Sequence, residues 1–480
     1  MIAIDKVLEG ISSIGSSMSK HIVKGITNNS CEVKEGFIFF AFQGDKFDGN
    51  NFIKEAFKNG AILAITDSKK IDIRQNIIKV EDLNDAAAKV CSNFYNFPQK
   101  KIKLIGVTGT NGKTSTTLIL KSILEAANKK AIQIGTLGVN PKIKELSTNL
   151  TTPNIFELFK ILHCAIENKF EYAILEVSSH ALAQKRIFGL KFDVTAFTNL
   201  SLDHLDYHQT IENYFKEKLK LFSMNKKNGS SVVLVDSEYG QKISYLKPSI
   251  NQVSLKNKNV KYFCRNVELG NKEIKGIMIC KSKKIDIQSK LMGRFNLENI
   301  VLAAAISFEL NIPEKSIEKG IKNCSSIDGR MHIVENLGDY KILLDYGHTP
   351  DAYFKALEAV KEKYKLPIKV LFGAGGGRDH SKRSKMAEVV EKYSLECYLA
   401  PDNPRYESID AINADVIKGF SNNNYHCFDD REKALKFALS NLLTNEILII
   451  FGKGNEEYQE IEGVKYFYSD KKIIKKFYAH

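Results

Sequence analysis

A glycine-rich turn between an apolar strand and a helix carries the residue types and spacing that most clearly predict chemistry. The apolar run 104–107 leads into the turn 109–112, and Lys113, Thr114 and Ser115 open a helical stretch. Backbone N–H groups in such a turn converge on phosphate oxygens, the lysine reaches the outer phosphates, and the threonine hydroxyl can hold magnesium. The strict pattern G-x-x-x-x-G-K-[ST] would need glycine where Val107 stands. The turn predicts a nucleotide triphosphate site.

Other polar groups follow the predicted ends of buried strands, where open α/β sheets bind ligands. Glu176 ends the strand 172–177, and we expect it to meet a metal bound with the phosphates. Two aspartates and two histidines, His204 among them, crowd residues 203–208. This density suggests zinc at first sight, but Mg²⁺ tied to phosphates needs only one or two protein ligands and prefers oxygen. In the helix 214–222, Lys216, Lys218 and Lys220 are expected by themselves to be exposed.

Polar loops in the last third of the chain predict a second site. Three of them begin at Gly373, Asp402 and Gly452, each after a predicted strand, while Asp345, at the end of another strand, fits ribose or phosphate contacts. Only nine of the 70 basic residues are arginine. Four of these nine (Arg330, Arg378, Arg383 and Arg405) fall in short motifs of this region. Arginine pairs with carboxylate or phosphate through two parallel hydrogen bonds. The loops therefore suit a zwitterion, with arginine for its carboxylate and Glu456 for its ammonium.

These groups need a scaffold of alternating strands and helices. Apolar runs predict strands at 36–41, 61–65, 131–137, 172–177, 194–197, 341–345, 368–372, 397–399 and 446–451. Helical patterns cover 51–59, 83–94, 155–168, 214–222, 297–310, 352–364 and 383–393, and the polar stretch 225–290 predicts shorter strands of hairpin character. The expected fold class is α/β with three domains: a small N-terminal domain (1–98), a central P-loop ATPase-like parallel sheet (99–328) and a C-terminal Rossmann-like domain (329–480).

Composition narrows the class of protein. A chain of 480 residues is too long for one compact core and predicts two or three domains. No apolar run approaches the length of a membrane span, and the first residues lack a secretory signal pattern, so a cytoplasmic location is expected. The eight scattered cysteines suit reduced thiols. The net charge of +14 comes mostly from dispersed lysine, which predicts a solvated surface and no nucleic-acid partner.

Eight motifs in order resemble the Mur ligase family along essentially the whole chain: TGTNGKTSTT, EVSSH, NLSLDHLDYH, FNLENI, DYGHTPDA, FGAGGGRD, DNPR and GKGNEEYQ. The resemblance implies a monomeric ligase of peptidoglycan synthesis, with ATP and Mg²⁺, that serves cell-wall formation, cell shape and division. ATP would activate the D-glutamate carboxylate of UDP-MurNAc-L-Ala-D-Glu as an acyl phosphate. The amine of meso-2,6-diaminopimelate would then displace phosphate, giving the UDP-MurNAc-tripeptide, ADP and phosphate.

The resemblance also implies site residues. For ATP they are Gly109, Thr110, Asn111, Gly112, Lys113, Thr114, Ser115, Asn296, Asn299, Arg330 and Asp345. For the UDP-sugar they are Ser30, Asp45, Lys46, Phe47, Thr151, Thr152, Ser178, Gln184 and Arg186. For the amino acid they are Arg378, Asp402, Asn403, Pro404, Arg405, Gly452 and Glu456. For magnesium they are Thr114, Glu176, His204 and a carbamylated Lys218, and the catalytic set is Lys113, Lys218, Glu176 and His204.

Two alternatives stay open within the ligases. Arg405 can pair with the second carboxylate of diaminopimelate, which lysine lacks. However, Gly377, Pro401 and Asn455 depart from the family pattern in or beside the pocket motifs, so L-lysine or another diamino acid is the alternative substrate. Folylpolyglutamate synthetase shares the nucleotide site, but the DNPR motif and the additional N-terminal domain favour the first assignment.

A P-loop regulator or nucleic-acid motor would need an apolar run ending in aspartate and a basic aromatic groove, and the sequence has neither.

Overall fold

The computed structural model describes residues 2–11, 21–44, 47–71, 76–143, 146, 148, 150–334 and 337–479. Asp45 and Lys46, both expected at the UDP-sugar site, lie outside the described residues. No helix in the described ranges has the length and hydrophobicity needed to cross a membrane.

The strands alternate with helices along the chain. The strands are β1 Ile2–Ala3, β2 Ile22–Val23, β3 Gly25–Thr27, β4 Phe37–Phe40, β5 Ala61–Thr66, β6 Ile77–Lys79, β7 Lys103–Thr108, β8 Ala131–Gly135, β9 Gly138–Asn140, β10 Tyr172–Glu176, β11 Phe192–Phe197, β12 Asn225–Leu234, β13 Asn251–Ser254, β14 Tyr262–Leu269, β15 Ile274–Cys280, β16 Lys283–Ser289, β17 His332–Ile333, β18 Lys341–Asp345, β19 Ile368–Phe372, β20 Glu396–Leu399, β21 Tyr425–Cys427, β22 Ile447–Phe451, β23 Tyr458–Ile461 and β24 Val464–Phe467. The helices are α1 Ile4–Val7, α2 Ile53–Lys58, α3 Leu83–Phe94, α4 Pro98–Lys101, α5 Lys113–Ala126, α6 Ile155–Glu167, α7 Ser179–Ala183, α8 Leu205–His208, α9 Ile211–Leu219, α10 Glu238–Leu246, α11 Arg294–Glu309, α12 Glu314–Asn323, α13 Pro350–Tyr364, α14 Arg383–Tyr393, α15 Ile409–Ile417, α16 Arg431–Ser440 and α17 Asp470–Phe477.

The first of two compact units comprises Met1–Gly106, Lys129–Thr195 and Lys220–Gly229. Its four-stranded sheet has the order β3-β4-β5-β6, with every pair parallel. In the same unit β10 pairs in parallel with β8, and β9 returns antiparallel along β8. The apolar strands are buried, as parallel strands covered by helices require. Helix α6 starts where the Asn154 side chain accepts the N–H of Glu157.

The second unit comprises Val107–Asn128, Ala196–Leu219 and Ser230–His480. Strands β12, β13 and β14 pair in parallel, and β14, β15 and β16 form an antiparallel meander. Helices α11 and α12 pack on α5. A Cβ at Gly320 of α12 would overlap the backbone of Ile123, so glycine permits this close helix contact.

A six-stranded sheet in the second unit positions the polar loops. Its order is β17-β18-β22-β19-β20-β21, and all pairs except β17 with β18 are parallel. Apolar side chains bury both faces in two separate clusters. The carboxyl ends of β18, β19, β20 and β22 therefore share one edge. This confirms the predicted gathering of the three loops that follow β19, β20 and β22.

The structure confirms the α/β class and corrects several elements. Helix α9 begins at Ile211, three residues before the predicted start, and the segment Lys220–Ser223 is a 3₁₀ turn. Over 225–290, the antiparallel strands β14, β15 and β16 confirm the predicted hairpin character. The expectation of shorter strands was wrong, because these three strands have seven or eight residues each. Among the described helices of eight or more residues, α10, α12, α15, α16 and α17 were missed. Helices α10 and α12 each contain a glycine, which lowers helix propensity, and tertiary packing overrides it.

Candidate active site

The glycine-rich turn takes the backbone conformation of a phosphate-binding loop. Strand β7 ends at Thr108 and α5 begins at Lys113. Gly109 and Gly112 have φ of 148° and 84°, a region that favours glycine. A Cβ at Gly109 would overlap the Thr198 hydroxyl, and one at Gly112 would overlap the side-chain oxygen of Asn299. Both glycines are therefore required by the contacts of the loop as well as by its conformation.

Two residues after β11 hold this loop in place. The Thr198 hydroxyl donates to the carbonyl oxygen of Asn111 at 2.6 Å. Asn199 accepts the N–H of Thr110 through its carbonyl at 2.9 Å and the N–H of Asn111 through its side chain at 3.0 Å. Asn199 opens the NLSLDHLDYH motif, and neither Thr198 nor Asn199 was predicted as a site residue. Their position after a buried strand was the available signal.

The lysine of the loop folds back on the turn. Lys113 Nζ donates to the carbonyl oxygens of Gly109 at 2.9 Å and Thr110 at 2.8 Å. Arg330 Nη2 donates to Thr114 Oγ1 at 3.1 Å. The guanidinium of Arg330, which is distant in sequence, therefore lies at the loop. Two cations thus converge on the turn, which gives it the positive potential that phosphate binding needs.

Lys218 is buried, against the expectation drawn from residue types alone. Lys216 and Lys220 are exposed as predicted, whereas Lys218 is 1% exposed. Its Nζ donates to the Gly109 carbonyl at 2.8 Å and lies 4.4 Å from the centre of the Tyr214 ring. Burial, together with the charge of Lys113, lowers the pKa of the Lys218 amine well below its usual value. The amine therefore has an increased neutral fraction, the form that acts as a nucleophile.

Asp203 joins two distant parts of the second unit. This buried carboxylate lies 2.9 Å from Lys382 Nζ and accepts the N–H of His204 at 3.0 Å. His348 Nε2 lies 3.6 Å from its other oxygen. Burial opposes ionisation, but the His348 hydrogen bond and the charges of Lys382 and His204 hold the pKa of Asp203 well below its usual range. Neither Asp203 nor Lys382 was predicted as a site residue.

Three further residues expected at the nucleotide already have protein partners. Asp345 accepts the N–H groups of Met331 at 2.8 Å and Gly347 at 2.7 Å, and burial raises its pKa. Asn296 and Asn299 are buried and hydrogen-bonded to each other at 3.3 Å. The Asn299 oxygen also accepts from Thr116 of α5. These side chains fix the surroundings of the loop.

A buried lysine organises the strand-end pocket of the six-stranded sheet. Lys453 is fully buried, and its Nζ lies 2.6 Å from Asn403 Oδ1, 3.2 Å from Asp402 and 3.2 Å from Glu456. Burial opposes ionisation of Asp402, but Lys453 and Arg431 keep its pKa below the usual value. The expected residues Asp402, Asn403 and Glu456 are thus brought together. Lys453, which holds them, was not predicted as a site residue.

Arg405 has a left-handed backbone, with φ of 55°. Its Nη1 donates to the Gly376 carbonyl at 2.8 Å, and Nε lies 3.2 Å from Glu460. Arg378 is exposed on the neighbouring loop, and a Cβ at Gly375 would contact both arginine side chains. A Cβ at Gly452 would lie 3.3 Å from Asp402, and Pro404 is buried. The side chains of Arg378 and Arg405 therefore both lie next to Gly375.

In the first unit, Glu176 is fully buried at the end of β10. It accepts from Gln133 at 3.0 Å and from both the N–H and the hydroxyl of Thr136 at 3.1 Å. Thr152 donates to the Glu176 carbonyl at 2.7 Å and accepts the N–H of Ser178. The carboxylate is held in one orientation.

The hydrogen bonds around Glu176 join five of the residues expected at the UDP-sugar. Thr151 lies 3.3 Å from the Thr136 hydroxyl, and Arg186 donates to the Thr152 carbonyl at 3.1 Å and to Gln184. The five are Thr151, Thr152, Ser178, Gln184 and Arg186.

Ser30 and Phe47 line a separate groove of about 1280 Å³ in the first unit. Aromatic residues of β4 and its surroundings form much of its wall, and Asn154 and Glu157 of α6 also line it. Ser30 donates to Glu55 at 3.2 Å, while Phe47 is 71% exposed. An aromatic groove with polar groups at its rim suits a flat, polar ring.

The fold and the loop define a P-loop α/β protein. Three family models match in succession: "Mur ligase family, catalytic domain" over residues 22–95, "Mur ligase middle domain" over 107–307 and "Mur ligase, glutamate ligase domain" over 329–454. The chain belongs to the Mur ligase family, and it is an ATP-dependent amide-bond ligase.

Two curated relatives and one solved structure share the same name. The UDP-N-acetylmuramoyl-L-alanyl-D-glutamate–2,6-diaminopimelate ligase of Fusobacterium nucleatum is 39% identical over 459 residues, covering 94% of this chain and 93% of that one. The ligase of the same name from Caldanaerobacter subterraneus is 38% identical over 472 residues, covering 95% of each. A solved structure of a ligase with this name has a TM-score of 0.68 and 26% identity, covering 100% and 99%.

Proposed function

We propose that this protein joins meso-2,6-diaminopimelate to the D-glutamate of UDP-MurNAc-L-Ala-D-Glu at the expense of ATP. One observation in the second unit carries the proposal. Arg330 bonds to Thr114 of the phosphate loop and lies 4.6 Å from the Tyr346 ring, whose hydroxyl donates to Glu456 at 3.4 Å. These contacts connect the phosphate loop with Glu456, which we propose binds the amino acid. A ligase that passes an acyl phosphate to an amine needs this proximity.

The nucleotide end follows from the loop. Its N–H groups and Lys113 bind the phosphates, and Arg330 and Lys113 balance the charge that develops on transfer. The full proposed ATP set is Gly109, Thr110, Asn111, Gly112, Lys113, Thr114, Ser115, Asn296, Asn299, Arg330 and Asp345. A carboxylate oxygen of the substrate attacks the γ-phosphorus, and ADP leaves with the electron pair of the broken bond.

The donor groups present fit magnesium. The Thr114 hydroxyl is buried at the loop, His204 lies in the same unit, and Glu176 is proposed as a carboxylate ligand because of its motif. Mg²⁺ would supply charge neutralisation for phosphates. A carbamate on Lys218 would add an anionic oxygen ligand. The neutral amine attacks carbon dioxide, an N–C bond forms, one C=O π bond opens to leave its electron pair on oxygen, and the nitrogen loses a proton to water. The lowered pKa of Lys218 supports this step.

We assign the UDP-sugar to the first unit. The aromatic groove with Ser30 and Phe47 suits the uracil end. The hydrogen-bonded group around Thr152 offers hydroxyls and the Arg186 guanidinium to the sugar and its diphosphate. We also propose that Asp45 and Lys46 bind the UDP-sugar, because they match the family motif.

The amino-acid pocket suits a substrate with two carboxylates. Arg378 and Arg405 supply two guanidinium groups, and Glu456 supplies a carboxylate for an ammonium group. The substrate amine attacks the acyl phosphate carbon, the tetrahedral intermediate expels phosphate, and the nitrogen loses its proton. Lysine lacks the second carboxylate and is the alternative substrate.

The matched segments also support domains at 1–98, 99–328 and 329–480. We propose a cytoplasmic location, because nucleotide-linked precursors and ATP are found in the cytoplasm. We propose a monomer because the family resemblance implies one.

Phosphate release tests the proposal. Purified protein with UDP-MurNAc-L-Ala-D-Glu, ATP and Mg²⁺ should release phosphate when meso-diaminopimelate is added and much less with L-lysine. If neither amino acid raises phosphate release above background, the ligase assignment is contradicted. A preference for lysine would contradict the role of Arg405.

A further inference from the structure

The two loops that carry Arg378 and Arg405 touch each other through their main chains. The N–H of Gly376 donates to the Asn403 carbonyl at 2.9 Å, and Arg405 Nη1 donates back to the Gly376 carbonyl at 2.8 Å. A Cβ at Gly376 would overlap the carbonyl group of Pro404. The separation of the two arginines therefore depends on how these loops are held together.

An ion pair between a buried arginine and a partly buried glutamate holds them. Arg383, at the start of α14, is 1% exposed, and its guanidinium bonds to both oxygens of Glu407 at 2.6 and 2.8 Å. Arg383 Nη2 also donates to the Gly375 carbonyl at 3.2 Å. Glu407 in turn accepts the N–H of Gly377, the residue before Arg378, at 2.9 Å. Because Glu407 also lies two residues after Arg405, it connects the two loops.

The charges around the pair identify its role. The Arg383 hydrogen bonds, helped by the Gly377 N–H, lower the pKa of Glu407 to about 2, so the carboxylate is ionised at neutral pH. His380, Glu407 and Asp415 place three metal-ligand side chains within reach of one another. However, Arg383 already pairs with both carboxylates, and Lys418 lies 2.7 Å from Asp415. Because Arg383 and Lys418 neutralise the two carboxylates, this group of side chains offers no net negative charge to a metal ion. It serves to hold the loops.

We propose that Arg383 and Glu407 are positioning residues that set the separation of Arg378 and Arg405 and so determine selectivity for an amino acid with two carboxylates. The inference rests on the proposed function. The two terminal nitrogens of Arg383 bond to Glu407, Asp415 and the Gly375 carbonyl, so the guanidinium acts on substrate through the loops.

Glu407→Gln tests the pair with little change of shape. Its amide oxygen can still accept the Gly377 N–H, but the ionic fork with Arg383 is lost. A displacement of about 1 Å can cost about 100-fold in rate, so we expect KM for diaminopimelate to rise at least about tenfold. KM for ATP and the weak use of lysine should not change, which lowers the ratio of kcat/KM for diaminopimelate over lysine. Arg383→Lys should act in the same direction because lysine cannot form the fork.

A double-mutant cycle with Arg405→Lys makes the test specific. If Glu407 acts through Arg405, the double variant should be about as impaired toward diaminopimelate as Arg405→Lys alone. Lys418→Ala is the matched control, since it removes an exposed cation from the outer oxygen of Asp415 and should leave the ratio unchanged.

The outcomes separate the two proposals. No diaminopimelate-dependent phosphate release by the unmodified protein would overturn the proposed function, and this inference with it. Activity of the unmodified protein together with an unchanged selectivity ratio in Glu407→Gln, or with additive effects in the cycle, would overturn this inference alone. Because a misfolded fraction lowers apparent kcat without changing KM, the KM values remain decisive even if a variant folds poorly.

Discussion

Replacing Lys382 with methionine should destabilise the second unit by an amount that the contacts of Asp203 define. Lys382 and Asp203 are 8% and 3% exposed, and their charged atoms are 2.9 Å apart. Removing one partner of a buried pair costs about 3–5 kcal/mol. Asp203 keeps the His204 N–H and lies within 3.6 Å of two imidazoles, so we expect the low end, about 3 kcal/mol at pH 7.

The effect has a defined pH dependence. The pKa of Asp203 is lowered in the folded protein, so its contribution is complete above its unfolded pKa of about 3.9 and disappears as pH falls through the lower folded value. Lys382→Met raises that folded pKa because a positive charge is lost. The difference in stability between the two proteins should therefore narrow below about pH 4.

Urea unfolding followed by circular dichroism at pH 7 and at decreasing pH measures both effects, and the absence of tryptophan makes this probe preferable to tryptophan fluorescence. The control is Asp203→Asn combined with Lys382→Met, which removes the buried charge as well and should recover part of the loss. A loss below about 1 kcal/mol, a difference that widens in acid, or a double variant no more stable than Lys382→Met would refute the reasoning.

Four further predictions concern activity. Lys218→Ala should lose at least about 100-fold in phosphate release, bicarbonate should not restore it, and ¹³C-bicarbonate should give a carbamate NMR signal only in the unmodified protein. Arg405→Lys should lower kcat/KM for diaminopimelate about 10- to 150-fold, the equivalent of about 1.5–3 kcal/mol for a charged hydrogen bond, and leave lysine unaffected. Gly112→Ala should raise KM for ATP at least about tenfold, because its left-handed backbone and the nearby Asn299 exclude a side chain. Arg330→Met should also raise KM for ATP, and an unchanged value would remove Arg330 from the nucleotide site.

Much of the fold follows from local patterns. The predicted elements 83–94, 341–345, 368–372 and 383–393 agree with the structure at both ends, because apolar periodicity and polar or glycine boundaries coincide there. Helix α12 was missed because Gly320 lowers its propensity, and only its contact with Ile123 explains the glycine. Such packing is a property of the folded chain and not of the local sequence.

The site divides in the same way. The gathering of Asp402, Arg405 and Glu456 follows from parallel strands whose carboxyl ends share an edge. The lysines that hold buried carboxylates were not predictable, since Asp203 and Lys382 are 179 residues apart in sequence. Lys218 resembles its exposed neighbours in residue type, and only the tertiary fold buries it.

Product identity tests the central claim most directly. The protein should be incubated with ATP, Mg²⁺, UDP-MurNAc-L-Ala-D-Glu and equal concentrations of meso-diaminopimelate and L-lysine, and the nucleotide products measured by mass spectrometry. We expect a UDP-MurNAc-tripeptide that contains diaminopimelate, formed in an amount equal to the phosphate released. A product containing lysine as the main species, or no tripeptide at all, would contradict it.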